Sequence, residues 1–492
     1  MYWTDWTIVG LYLVGICWLG RWYARRNKTT DDFLLGGRRM KALPIGLSIF
    51  VSWFSVISYT AIPGEMIRHG PMLWTGLLAA PVGLWFVGWV VIPRLHYMPF
   101  ECVRKLSDFP RGKWTQYHCI SAYELLDFIG CRCLGSTLFL LMRVCWMAMI
   151  VHIAATIIIS PLTGFNPSLV STVLVAATVL VTLGGFRAVV WTDCIQAVIM
   201  LVGAVVLICL FASWPTEWPE HWPEIDWSFN PFKRVTAGTA MLGAVCLGVC
   251  VRSGDQMNVQ RYLSTSGPRP ARNSFILSFI FDLLLTGLLV ILGLGLLSWL
   301  QAGSDADEVL PRLIGSGLPI GMKGLVVAAL LAAAVSSLSS GINACVSTVA
   351  VDWQQNLGPG TSMRNRSKML PSPNCNVVES WHRAVPATVV LGIIVFILSY
   401  SISFVQGNLI ELCYKVVNLL ATPLGGLVLV ALFFPKTRPI AAWLGCTASV
   451  AVVVWITYFS PITFLLASPL GLGAQLIIGG LSHGSSQKRQ NG

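Results

Sequence analysis

Thirteen apolar runs, each near the length of a membrane-crossing helix, divide the chain from end to end. They fall at 7–23, 44–62, 74–95, 134–160, 168–185, 189–212, 237–254, 273–300, 324–350, 384–403, 407–434, 439–459 and 461–481, and Pro, Gly and charge clusters separate most of them. About twenty apolar residues in a helix cross a hydrocarbon core roughly 30 Å thick. The pattern predicts an all-α polytopic membrane protein of about thirteen transmembrane helices, with no room for a sizeable soluble domain. The opening MYWTDW lacks the basic stretch of a cleavable signal peptide, so the first run is expected to stay as a helix.

Composition agrees. Only 11% of the 492 residues are charged and 55% are hydrophobic, with a mean hydropathy of +0.71, whereas soluble domains are about a quarter charged. The net charge of +12 raises a nucleic-acid partner, for which the basic residues should form one local stripe. They alternate loop by loop instead. With the N-terminus outside, 25 of the 33 Lys and Arg fall on the inner side, 5 on the outer and 3 within spans. The chain is therefore expected N-out and C-in, with the lipid bilayer and not nucleic acid as its partner. The fourteen cysteines lie mostly in apolar runs and form no CxxC pair, so they read as small buried hydrophobes.

In the external connector SWPTEWPEHWPEIDW, Trp214, Trp218 and Trp222 each precede a proline. The prolines forbid a regular helix interior. The tryptophans suit an interfacial anchor or a lid over an external vestibule. The 97–133 and 352–383 stretches read as polar, basic cytoplasmic loops. No GxxxxGK[ST], HExxH or GxSxG occurs, and His152 is the one histidine well inside a span. Nucleotide hydrolysis therefore has no foothold, and a membrane enzyme only that histidine.

Three stretches carry polar groups where the bilayer disfavours them. The second run, LPIGLSIFVSWFSVISYTAIPGE, is interrupted by Ser48, Ser52, Ser55, Ser58 and Thr60 and is expected to close at Pro63-Gly64. Spans that hold ions often unwind midway, because freed carbonyls supply oxygen ligands. The seventh ends GVCVRSGDQMNVQRYLS, so its helix is expected to break or exit near Gly254. The two runs are five apart and run in opposite senses, as an inverted five-helix repeat requires. In the ninth, Ser336, Ser337, Ser339 and Ser340 share one helix side above Ala333. Four hydroxyls there can serve a hard cation or a small-residue packing face.

Five blocks then resemble, in order, those of the solute:sodium symporter family: TTDDFLLGGRRMKALPIGLS (29–48), GGFRAVVWTDCIQAVIM (184–200), DQMNVQRYLS (255–264), AAAVSSLSSGINA (332–344) and LFFPKTRPIAAWLG (432–445). The resemblance covers almost the whole chain. It implies one symporter domain over 1–492 with a LeuT-like fold. Ten core helices in two inverted repeats would span about 44–434, with extra helices at 7–23, 439–459 and 461–481. It implies sodium-coupled import of a small solute by alternating access, no enzymatic activity, and a multi-pass place in the plasma membrane (the inner membrane in a bacterium). The family's common Na+ site falls on the carbonyls near Val51, Phe54 and Ala333 and the hydroxyls of Ser336 and Ser337. A second falls on Asp193, Ser339 and Ser340.

Substrate positions depart from the sugar-transporting members. Their asparagine in the second span is Trp53 here, their gate tyrosine is Val251, the tryptophan common after it is Arg252, and their glutamine falls at or beside Tyr414 and Lys415. With Ser55 and Ser58 these are the substrate-binding candidates. The 134–200 region resembles the branch that moves monocarboxylates, vitamins and iodide. Arg143, Arg252 and Lys415 lie within spans, where a cation costs several kcal/mol unless paired or hydrated. Two of them facing a cavity would favour a small anion such as a monocarboxylate. Pairing with Asp193, Asp255, Asp282 or Glu411, or snorkelling to the interface, is the competing account. A sodium/sugar or polyol carrier and a non-transporting sensor are the alternative functions. The sensor is disfavoured by the short tail SHGSSQKRQNG.

Overall fold

Each apolar run contains a helix in the computed structural model, which describes residues 1–27, 29–97, 120–211, 219, 222–300, 305–353, 377–401 and 409–488. In chain order these are α1 (Trp3–Ala24), α2 (Ala42–Trp53), α3 (Val56–His69), α4 (Met72–Tyr97), the short α5 (Ala122–Ile129), α6 (Arg132–Thr163), α7 (Pro167–Thr182), α8 (Gly185–Phe211) and α9 (Ala237–Gly254). There follow α10 (Gln256–Leu263), α11 (Pro268–Gly295), α12 (Ala306–Gly317), α13 (Met322–Trp353), α14 (Ala384–Ser401), α15 (Leu409–Phe433), α16 (Pro439–Tyr458) and α17 (Phe464–His483). Among the described residues eleven helices are long and apolar enough to cross a membrane. The second run is the pair α2/α3, bent by 63°, and the fifth is α7, apolar but only 16 residues long.

Two helices break where the polar interruptions fall. Phe54 (φ −82°, ψ 127°) and Ser55 (φ −113°, ψ 175°) are extended between α2 and α3. The Ser55 hydroxyl accepts the Ile57 N–H at 3.2 Å, and the Ser58 hydroxyl accepts the Ser55 N–H at 3.3 Å. At the second break Asp255 (φ −79°, ψ 118°) separates α9 from α10, and its carboxylate accepts the Met257 N–H at 2.9 Å. Such caps satisfy donors that a bilayer cannot. The expected stop at Pro63-Gly64 does not occur. α3 continues through Pro63 to His69, its side-chain-free Gly64 lying against Asp307 of α12.

α13 runs through the centre: every residue from Val326 to Thr348 is buried. Its alanines, serines and glycine let α1, α2, α6, α7 and α8 pack closely around it. α9 and α15 cross backbone to backbone at the second break. A Cβ on Gly254 would lie 2.6 Å from the Gly425 Cα, so the crossing admits no side chain there. The stretch expected as a polar loop over 97–133 ends in α5, where Tyr123 and Leu126 are fully buried. Residues 98–119, and most of 352–383, lie outside the described residues.

Candidate functional site

The first break strips α2 of the donors that would follow it, and α13 supplies hydroxyls in their place. Ser336 Oγ donates to the Val51 carbonyl at 3.1 Å and to the Ala333 carbonyl at 3.1 Å. Ser337 Oγ donates to the Phe54 carbonyl at 2.9 Å. All five positions expected for the first ion are thus together, and all are buried. They offer neutral oxygens only, the ligands a hard cation prefers. Among the described residues no cluster of three or more His, Cys, Asp or Glu could hold a metal.

The positions expected for a second ion behave differently. Asp193 on α8 is fully buried, and its Oδ2 receives the Ser48 hydroxyl, the Ser340 hydroxyl at 3.3 Å and Arg261 Nη2 at 3.2 Å. Ser339 turns back to the Ser336 carbonyl at 3.3 Å. Sequence reasoning missed Arg261. Its place after the seventh run put it among the cytoplasmic charges, yet on α10 it is 1% exposed. The signal was the break itself: a helix that resumes after Asp255 draws the following residues back into the bundle. Two unit charges about 4 Å apart repel by about 4 kcal/mol at an effective dielectric near 20. A sodium ion beside Asp193 would meet that repulsion from Arg261 together with an attraction of similar size to the carboxylate.

Each of the three cations expected within spans is paired with a carboxylate. Arg252 Nη2 donates to Asp282 Oδ2 at 2.6 Å, and the guanidinium lies 5.1 Å from the Trp53 ring and 5.8 Å from that of Phe275. Arg252 Nη1 and Asp282 Oδ1 are buried without a partner. Lys415 pairs with Glu411 one turn away at 2.9 Å. Tyr414 stacks obliquely on Phe464 at 5.3 Å. The helix face carrying Lys415 continues to Asn418, which donates to the Phe464 carbonyl at 3.2 Å, and Thr422, which meets Ser468 at 3.0 Å. It therefore packs on the last helix. Arg143 pairs with Asp255, its Nε at 3.3 Å from Oδ1. Ser55 and Ser58 are engaged in the α3 cap, and Val251 is buried with its carbonyl accepting the Asp255 N–H at 3.2 Å.

Both ends of the broken helices are tied down. Gln256 accepts the Ala122 N–H and donates to the Ile120 carbonyl, each at 2.8 Å, and the Tyr123 hydroxyl donates to the Gly254 carbonyl at 3.0 Å. The α5 segment therefore clasps the second break. At the far end of α3, Arg234 forks onto Glu65 at 2.8 and 3.1 Å, and Arg68 pairs with Asp305, the N-cap of α12, and with Asp307 in its first turn. Trp222 is 5% exposed, with its indole N–H on the Ile67 carbonyl at 3.1 Å. It is thus a protein contact and not an interfacial anchor, while Trp214 and Trp218 lie outside the described residues. Burial holds the Asp307 carboxyl up at about 6, against the lowering pull of Arg68. A hydrogen bond from Lys233 leads the causes that bring Asp226 down to about 2.

Two helices broken five spans apart around a buried central helix define a LeuT-like transporter, and solved structures share that fold. A Na+-coupled sialic acid symporter in a substrate-bound outward-open state superposes with a TM-score of 0.78 at 22% identity, covering 98% of this chain and 97% of that one. Mhp1, a nucleobase-cation-symport-1 family transporter, gives 0.56 at 15% identity, covering 92% and 94%. Residues 33–447 match the Sodium:solute symporter family, and the chain belongs to that family of sodium-coupled membrane transporters. Among curated relatives, the sodium/sialic acid symporter SiaT of Proteus mirabilis (strain HI4320) is 24% identical over 95% of this chain and 92% of its own. The human sodium-coupled monocarboxylate transporter 1 is 26% identical over 92% and 73%, and the sodium-dependent multivitamin transporter of Oryctolagus cuniculus 24% over 93% and 71%.

Proposed function

We propose that the chain imports a small organic anion together with sodium by alternating access across the plasma membrane, through one domain whose ten-helix core runs from α2 to α15. The observation that carries the sodium site is the meeting of the Ser336 and Ser337 hydroxyls with the Val51 and Phe54 carbonyls across the first break. A sodium ion among these oxygens turns the hydroxyl lone pairs inward and holds α2 against α13. Release of the ion frees the two helices to move apart. Sodium binding therefore favours one arrangement of the bundle, as ion coupling requires.

The anion reading rests on Arg252. One guanidinium nitrogen is spent on Asp282, and Nη1 remains buried and unpartnered beside Trp53. A carboxylate taking that nitrogen gains a charge-assisted hydrogen bond. Relatives described as carriers of sialic acid and of monocarboxylates support the same class. The test is sodium-dependent uptake into proteoliposomes with a panel of short carboxylates and neutral sugars. Arg252→Gln is expected to weaken carboxylate uptake by about 1.5–3 kcal/mol and to spare sodium affinity. Tight sodium-dependent binding of a neutral sugar by the unmodified protein would overturn the anion assignment.

A further inference from the structure

Away from the polar centre of the bundle, α1 and α7 enclose a groove of about 670 Å³. The two helices meet backbone to backbone beside it. A Cβ on Gly20 would lie 2.7 Å from the Leu180 carbonyl oxygen, and Asn27 donates to the Gly184 carbonyl at 2.9 Å. Val14, Cys17 and Trp18 wall the groove on one side, Ala176 and Leu180 on the other. Trp18 is 60% exposed and Leu180 50%, so the groove opens outward to lipid. As the first and fifth runs, α1 and α7 descend in the same sense. With the N-terminus outside, the second half of α1 places the groove in the cytoplasmic leaflet. Its one charged wall residue is Arg21, which continues a stripe along α1 from Val14 and Trp18 to Arg25. Arg21, Arg25 and Arg26 are exposed at the cytoplasmic end. Asp31 and Asp32, the next carboxylates in the chain, are taken by Arg38 and Arg187. Among the described residues Arg21 and Arg25 have no ion-pair partner. Arg26 lies 3.4 Å from the centroid of the Trp22 ring, which stacks on Trp18 at 6.3 Å, a ladder suited to the headgroup layer.

We propose that this groove binds one anionic phospholipid of the cytoplasmic leaflet, with an acyl chain along α1 and α7 and the phosphate on Arg21 and Arg25. The apolar walls alone would accept any lipid tail. The arginines make the choice, because a guanidinium forks onto phosphate oxygens and these two have no carboxylate to neutralise them. A zwitterionic headgroup brings its own cation against the same arginines and gains less. Each basic residue at such a surface is worth about fivefold in affinity for an anionic lipid. The bound chain fills the gap between the two helices and extends their contact beyond Gly20. Neither the sodium site nor the substrate takes part in it.

Native mass spectrometry of the purified full chain tests this, with titration by phosphatidylglycerol or by phosphatidylcholine of the same acyl chains. One phosphatidylglycerol is expected to stay on each chain at concentrations where phosphatidylcholine does not. Arg21→Gln should weaken its retention about fivefold and Arg21→Gln/Arg25→Gln about 25-fold, while Arg21→Lys keeps most of it. Ala176→Phe, at an exposed position, fills the groove and should abolish retention with both arginines intact. Thermal melting of the same preparations checks that each variant is folded. Equal retention of the two lipids overturns the proposal, and so does undiminished phosphatidylglycerol binding in Arg21→Gln/Arg25→Gln. Retention unchanged in folded Ala176→Phe also overturns it, since the lipid is then held by surface charge and not by the groove. If Ala176→Phe fails to fold, the comparison of the two lipids and the arginine variants decide.

Discussion

Removing the Ser336 hydroxyl tests the sodium site most directly, because the structure separates its effect on the ion from its effect on the fold. Ser336→Ala deletes one of five converging oxygens and the donor to the Val51 and Ala333 carbonyls. A hydrogen bond or ligand contact to a charged group is worth about 1.5–3 kcal/mol. At about 1.4 kcal/mol per factor of ten, the sodium concentration for half-maximal uptake should rise roughly 10- to 150-fold. The neutral hydrogen bond lost with it is worth only about 0.5–1.5 kcal/mol, so the protein still folds. Ser337→Ala, which frees the Phe54 carbonyl, should act alike, and Ser336→Thr should recover most of the loss because it keeps the oxygen. The assay is initial uptake into proteoliposomes against internal-sodium-free buffer, with thermal melting of the same preparations as the folding control. Unchanged sodium dependence in both alanine variants, with native melting, would falsify the site and return the serines to helix packing.

Gly254→Ala forces a methyl group against the Gly425 backbone and is expected to destabilise by about 1–3 kcal/mol. Gly248→Ala on the same helix, with nothing within 4 Å, should melt like the unmodified protein. Asp307 sits at about 6 in the folded state, above its ordinary value near 3.9, so the folded protein holds that proton more tightly than the unfolded chain. The docking of α12 on α3 should therefore strengthen as pH falls through about 6, by no more than about 3 kcal/mol once below about 4. Hydrogen exchange over Ala306–Gly317 reads this, and Asp307→Asn should flatten the response. Reporters fused before Trp6 and after residue 489 should lie on opposite faces of the membrane; both on one face would refute the thirteen-span order.

Much of the fold was legible because a bilayer leaves few ways to satisfy a backbone. An apolar run of about twenty residues must become a helix, and a run carrying serines, glycine or aspartate at its middle must either break or hide them. Both breaks were readable on that ground, one midway along the second run and the other near Gly254. Their caps were not needed for the reading, since they follow once the helix has stopped. Pro63 misled because a proline in a helix marks a stop only where nothing compensates. Here α3 is already offset by the bend nine residues earlier, and Gly64 gives α12 a surface to pack on. The buried α5 was missed for a different reason. It is a short segment, AYELLDFI, apolar at most of its positions but set inside a polar, basic stretch, and packing on α6 and α15 together with contact to Gly254 and Gln256 makes it part of the bundle.

The site divides along the same line. Val51, Phe54, Ala333, Ser336 and Ser337 were placed by motif order, and the helix period explains why they meet: the serines share one face of α13, and the break in α2 turns its last carbonyls toward that face. The charges were another matter. The sequence contains four arginines and lysines at membrane depth, Arg143, Arg252, Arg261 and Lys415, and enough carboxylates to neutralise them all. Only Lys415 finds its partner, Glu411, on its own helix at a spacing that periodicity alone can pick out. Arg143 reaches Asp255 across 112 residues, Arg261 reaches Asp193 across 68, and Arg252 reaches Asp282 across 30. The cost of an unpaired charge in a bilayer dictates that each must be matched. Which acid matches which base is decided by how the helices cross. That is why Arg261 counted as a loop charge in the sequence and is the partner of Asp193 in the fold.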